Sequence, residues 1–229
     1  MNDASFLAAL QLSDSALPIG RFAHSSGLEA LLQDDSTAGE HEIVELVETV
    51  VLEAVGPLDG VALAEAHRAG AAGDLEALVE LDRRLTARKL TPASRMASTA
   101  CGRALATLVP LLTERQPVAD YAVRIRAGEA DGNLAVLEGA LMAALGVGCD
   151  DAVLLELRSA AAALLSAAVR LGRLSAIRAQ AALHRLEPAL VEAAGEAALL
   201  SAEVMRSVAP ELEIYALTHR RLAARLFAT

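Results

Sequence analysis

From Ser159 to Val169 the chain runs Ser-Ala-Ala-Ala-Ala-Leu-Leu-Ser-Ala-Ala-Val without a charge, closed at its two ends by Arg158 and Arg170. A helix of that composition has no polar face, so it belongs in the middle of a packed domain or in an interface between subunits. It is too short to span a membrane, which takes about 20 apolar residues. The rest of the chain shares this chemistry: of 229 residues 54% are hydrophobic and only 2% aromatic, and Ala and Leu dominate the apolar set. Ala and Leu are strong helix formers, whereas strands favour β-branched and aromatic side chains. The expected fold is all-α, a single-domain bundle over residues 1–229 with roughly nine or ten helices. Small side chains should let those helices approach closely.

Helix punctuation supports this. Ile43, Val44, Val47, Val50, Val51 and Val55 form one apolar face over Glu40 to Val55. Asp74 is placed to cap a helix carrying Leu75, Leu78 and Leu81, and Thr91-Pro92 reads as N-cap followed by N1 proline. A helix from Pro92 is expected to reach about Thr107, with a bend at Pro110. Further helices are expected from Asn133 to Leu145, from Cys149 to about Leu171, and from Ser175 onward with a break near Pro188. Leu217 to Phe227 reads as a last amphipathic helix, in a tail that begins near Pro210.

The charge balance, 20 basic against 30 acidic residues and net −10, argues against nucleic acid as a partner. Only one lysine, Lys89, is present and no glycine-rich run precedes a Gly-Lys-Ser/Thr, so a phosphate-binding loop is absent. The five histidines (His24, His41, His67, His184 and His219) lack the i, i+4 spacing of a metal site. Cys101 and Cys149 read as two reduced thiols. The first basic residue is Arg21, so the start lacks the charge of a signal peptide, and a cytoplasmic protein without a membrane span is expected.

One segment differs from the Ala/Leu background. Residues 12–30 hold Pro18, Gly20, Phe22, Gly27 and a polar cluster, Asp14, His24, Ser25 and Glu29. The backbone reading is a helix–loop–helix, with Pro18 and Gly20 shaping the turn and Ser25 or Ser26 capping the next helix. Loops on a rigid scaffold are also where function concentrates. Asp14, His24 and Ser25 are triad residue types, but no Gly-x-Ser-x-Gly elbow accompanies them.

The run Leu12-x-Asp-Ser-x-x-Pro-x-Gly-x-Phe-x-His-Ser-x-Gly-Leu-Glu29 resembles the opening pattern of the UreF family of urease accessory proteins. Ser94-Arg95, Ser98 and Gly102-Arg103 are similar to that family's central helix, and Gly139 to Leu171 to its later helices. The end, His219-Arg220-Arg221-Leu222-Ala223-Ala224-Arg225-Leu226-Phe227, resembles the family tail. Arg21 stands where many members have a second Gly, Ser26 where Gly is common and Arg220 where Glu is usual; the chain ends Ala228-Thr229 rather than on a basic residue.

The resemblance implies an all-helical chaperone that is not an enzyme. It would bind the accessory protein UreD (UreH) and the GTPase UreG, dock with them on urease apoprotein, and regulate GTP-dependent nickel insertion. Nickel would be handled by the complex, with no cofactor bound directly by this chain; a homodimer is a further implication. The partner-binding residues so implied are Pro18, Gly20, Phe22, His24, Ser25, Gly27, Glu29, Ser94, Arg95, Arg103, His219, Arg221, Leu222, Arg225, Leu226 and Phe227. Two alternatives belong to other classes: a stand-alone nickel-binding protein, and an α-helical hydrolase using Asp14, His24 and Ser25.

Overall fold

The computed structural model describes every residue except Met1, Asp35, Ser36, Arg220, Arg221, Ala223 and Thr229. Among the described residues there are eleven α-helices and no strand. They are α1 (Asp3–Ser13), α2 (Leu28–Asp34), α3 (Glu40–Val50), α4 (Val61–Ala72), α5 (Leu75–Arg88) and α6 (Pro92–Leu112). Then follow α7 (Val118–Ala127), α8 (Leu134–Ala144), α9 (Cys149–Arg170), α10 (Ala176–Leu199) and α11 (Pro210–Thr218). A π-helical stretch, Val51–Gly60, joins α3 to α4, so the eleven helices make ten continuous rods.

Prolines explain where rods deform. Pro57 is buried and cannot donate to the Glu53 carbonyl four residues back, which accepts the Val208 N–H at 2.9 Å instead, and its ring must also be accommodated. The chain widens there into π geometry and continues, instead of ending near Val55. Pro110 and Pro188 lie on exposed faces, where water can take the freed carbonyl. Accordingly α6 reaches Leu112 and α10 runs unbroken through Pro188. Side-chain caps fall where the sequence places them: Asp74 accepts from Ala77 N–H at 2.9 Å and Thr91 from Ser94 N–H at 3.0 Å.

α9 is the centre of the bundle. It packs against α1, α2, α3, α4, α8 and α10. Ala161, Leu165, Ala167 and Ala168 are fully enclosed in one continuous hydrophobic core. By length and composition α9 could cross a membrane, but most of its most apolar window is buried against its neighbours. α4 and α8 lie especially close. A Cβ on Gly139 would sit 2.3 Å from the Leu63 carbonyl oxygen, and one on Gly70 3.0 Å from Ala140 Cα.

The last helix differs from expectation. It begins at Pro210 and ends at Thr218, so Leu217 to Phe227 is not one helix. Beyond His219 the described residues follow a non-helical course, because the N–H groups of Leu226 and Phe227 point to the Glu29 carboxylate on α2.

Candidate partner-binding site

The opening loop leaves α1 at Asp14, whose carboxylate accepts the Ala16 N–H at 2.8 Å in a local turn. Pro18 is exposed and Ile19 anchors in the core. Gly20 then takes a left-handed φ of 79° into a single 3-10 turn, Arg21–Ala23. Ser26 is left-handed too, at φ 53°, and Gly27 follows at 94°. Gly27 has a further reason to be glycine. A Cβ there would lie 2.3 Å from the Leu212 carbonyl oxygen of α11, so the loop and the last helix touch backbone to backbone.

Glu29, 2% exposed, is the junction of the site. Its carboxylate is 2.7 Å from His219 Nε2 and accepts N–H bonds from Leu226 at 2.6 Å and Phe227 at 3.2 Å. Burial alone would push this carboxyl up. The Leu226 and Phe227 N–H groups and His219 outweigh it and hold the group below its ordinary value. His219 is 1% exposed and Phe227 5%. The Arg170 guanidinium caps the Phe227 ring at 4.2 Å from its centroid and donates to the Phe22 carbonyl. Ala228 N–H closes the seam by donating to the Ala23 carbonyl at 2.9 Å. Loop and tail, almost 200 residues apart in sequence, thus form one surface.

Beneath it is a cavity of about 230 Å³ lined by Arg21, His24, Ser94, Ser98, Cys101 and Glu156, among others. It is smaller than the ~300–1,000 Å³ of a typical small-molecule site. Arg21 Nη2 is 3.0 Å from Glu138 on α8 and 2.5 Å from Glu156 on α9. Burial, only partly offset by Arg21, pushes Glu138 up to about 8. It also raises the Cys101 thiol to about 11, so this sulfur is protonated and a poor nucleophile at neutral pH. Burial lowers His24 below the ordinary histidine value.

The structure brings together most residues expected to bind a partner. Pro18, Gly20, Phe22, His24, Ser25, Gly27, Glu29, His219, Leu222, Arg225, Leu226 and Phe227 belong to the loop, α2 or the tail. Of these, Ser25, Gly27, Glu29, His219 and Phe227 are interior and bind the chain to itself, whereas Arg225 and Leu226 are exposed. Ser94 lines the cavity. Arg95 holds the Lys89 carbonyl at the end of α5, and Arg103 is exposed farther along α6. Arg221 lies outside the described residues, as does Arg220. Sequence reasoning had no signal for Glu138 and Glu156 as partners of Arg21, since nothing local links them. Among the described residues no group of three or more His, Cys, Asp or Glu converges as metal ligands would.

The UreF family model matches residues 38–187. The chain belongs to the UreF family. The urease accessory protein UreF of Yersinia pseudotuberculosis (serotype IB, strain PB1/+) is 29% identical over 230 residues, covering the whole of both chains. That of Yersinia enterocolitica is 28% identical over 228 residues, again covering both in full. The family model leaves out the loop and the tail, but these relatives match across both. This UreF-family chain therefore carries its loop–tail surface within the aligned length, while its most clearly family-like part is the helical scaffold from α3 into α10.

Proposed function

We propose that this chain is a non-enzymatic adaptor in urease maturation, binding UreD (UreH) and the GTPase UreG. The adaptor would dock with them on urease apoprotein and regulate GTP-dependent nickel insertion in the cytoplasm. The family supports an accessory role. The single observation that carries the rest is the joining of loop and tail at Glu29 into one surface. An adaptor needs surfaces whose shape is fixed before its partners arrive, because ordering them on binding costs affinity. Exposed Leu226 beside Arg225 offers an apolar and a basic contact on an otherwise acidic chain. Nickel is cargo in this reading and need not rest on this chain.

The test is co-purification with UreD and UreG from the same organism, together with urease activation in a strain lacking this chain. Recovery of a complex and restored activation are expected; a chain that binds neither protein would overturn the reading. Calorimetric titration with nickel and turnover of simple esters address the two rival classes. A tight stoichiometric site, or hydrolysis lost on His24→Ala, would favour one of them instead.

A further inference from the structure

No residue of the 3-10 turn Arg21–Ala23 is fully buried, and with Phe22 only half-buried apolar packing alone does not hold it in place. Polar contacts do. Arg170 donates to the Phe22 carbonyl, and the tail's Ala228 N–H donates to the Ala23 carbonyl. The third contact is the Arg21 side chain, which passes inward to Glu138 and Glu156, carboxylates whose side chains are only 4% and 8% exposed. Of the three it reaches deepest, tying the loop to both α8 and α9.

We propose that Arg21 is a positioning residue: seated between the Glu138 and Glu156 carboxylates, it fixes the turn from which His24 and the rest of the loop meet a partner. This rests on the reading of the loop as a recognition surface. The three groups work as a unit. Two carboxylates in one buried space repel, and a guanidinium shared between them relieves that repulsion for both. One guanidinium against two carboxylates still leaves a surplus negative charge, which the site relieves by keeping a proton. The groups facing Glu138 are Arg21 from the turn, Glu156 from α9 and, through the same cluster, Cys101 from α6. Cys101 stays neutral, so the proton is held on the Glu138 carboxyl. As pH rises through about 8 the surplus charge appears and the anchor loosens.

The readout is hydrogen exchange at the Ala23 amide, bonded to the Gly20 carbonyl at 2.9 Å, in the full chain. Arg21→Met should speed that exchange by about tenfold or more while α4 and α8 amides stay protected. Because a lone Arg21→Met leaves unpaired buried acids, the variant Arg21→Met/Glu138→Gln/Glu156→Gln removes all charge at nearly constant volume. It should melt close to the parent chain yet show the same fast exchange at Ala23. In the parent, protection at Ala23 corrected for intrinsic rate should fall as pH rises from the ordinary glutamate range through 8 and level off above it, and in the triple variant that pH dependence should vanish. Arg21→Lys, which keeps the charge, should recover most of the protection. Unchanged Ala23 exchange in a folded triple variant overturns the proposal. So does a triple variant that cannot fold, since the cluster would then be holding the core and not the turn. Exchange needs no partner, so fast exchange with undiminished urease activation would leave the anchor standing and remove the loop from the recognition surface.

Discussion

Single residues here do opposite things with pH. Glu29 has a folded-state value below its ordinary one, so the stability it contributes is present above the ordinary glutamate range. That contribution is lost as pH falls through the lower folded value. Glu138 is raised to about 8, so its contribution is complete below the ordinary range and drains away as pH rises through 8. Stability should therefore be greatest between these limits. Glu138→Gln should flatten the alkaline fall in melting temperature while leaving the acid limb alone; an unchanged alkaline limb would show that another group carries it. Ser26, at φ 53°, is a second test. A non-glycine residue in the left-handed region costs roughly 1–2 kcal/mol, part of which glycine returns as lost chain entropy. Ser26→Gly should therefore raise stability by up to about 1 kcal/mol in a denaturant titration. The strain also gives a physical reason for glycine at that place. Other residues of the site could not be read so directly. Glu29 and His219 were legible as members of family motifs, but that they meet in the interior is a fact of packing, invisible to spacing. Arg21 was legible only as a departure, because its partners sit on helices more than a hundred positions away.

Helices were the most legible level, and the reasons lie in particular residues. Capping by Asp74 and Thr91 is local chemistry, so the starts of α5 and α6 follow from sequence. Helix ends at prolines are not local, because exposed Pro188 and buried Pro57 obey different rules that only burial distinguishes. The course of the tail is set by a carboxylate on α2, which no window around residues 217–227 contains. Helix approach also depends on single positions. The α4–α8 contact closes on Gly139, where a Cβ would meet the Leu63 carbonyl oxygen at 2.3 Å. Backbone cannot swing aside as a side-chain tip does, so Gly139→Ala must push the helices apart. A destabilisation of about 1–3 kcal/mol is expected by calorimetry or denaturant titration, the usual cost of overpacking. A stabilised Gly139→Ala chain, gaining only helix propensity, would mean that the two helices slide freely. In α9, Ala163 lies at the cavity wall, 8% exposed. Ala163→Asp there places a charge without a partner and should cost several kcal/mol.

For the molecule as a whole, the decisive question is whether the tail is part of the domain or a passenger on it. Sequence alone suggests a segment that gains order on a partner, burying Leu222, Leu226 and Phe227 there. In the folded chain Phe227 is already enclosed, under Arg170, and Leu222 is half-buried. That leaves exposed Leu217, Leu226 and Arg225 among the tail's described groups for contact with another protein. Removing residues 219–229 should therefore lower the melting temperature. The loss combines the burial of one large aromatic side chain, about 1.5–3 kcal/mol, with a cation–π contact of about 0.5–2 kcal/mol. For a chain of this size each kcal/mol corresponds to roughly 2–4 °C, so a fall of several degrees is expected. Glu29 sharpens the measurement. In the full chain Glu29→Ala strips His219 and two backbone N–H groups of their acceptor inside the protein, which should be strongly destabilising, by about 1–3 kcal/mol. In the truncated chain those donors are gone and the Glu29 carboxylate is open to water, so the same substitution should cost little. The two changes must then be non-additive, as groups in one hydrogen-bond network are. Four melting curves complete the cycle: the full chain and the truncated chain, each with and without Glu29→Ala. A coupling near zero would detach the tail from α2 and return it to the role of a partner-ordered segment; a large one makes the docked tail a structural part of the surface offered to the urease machinery.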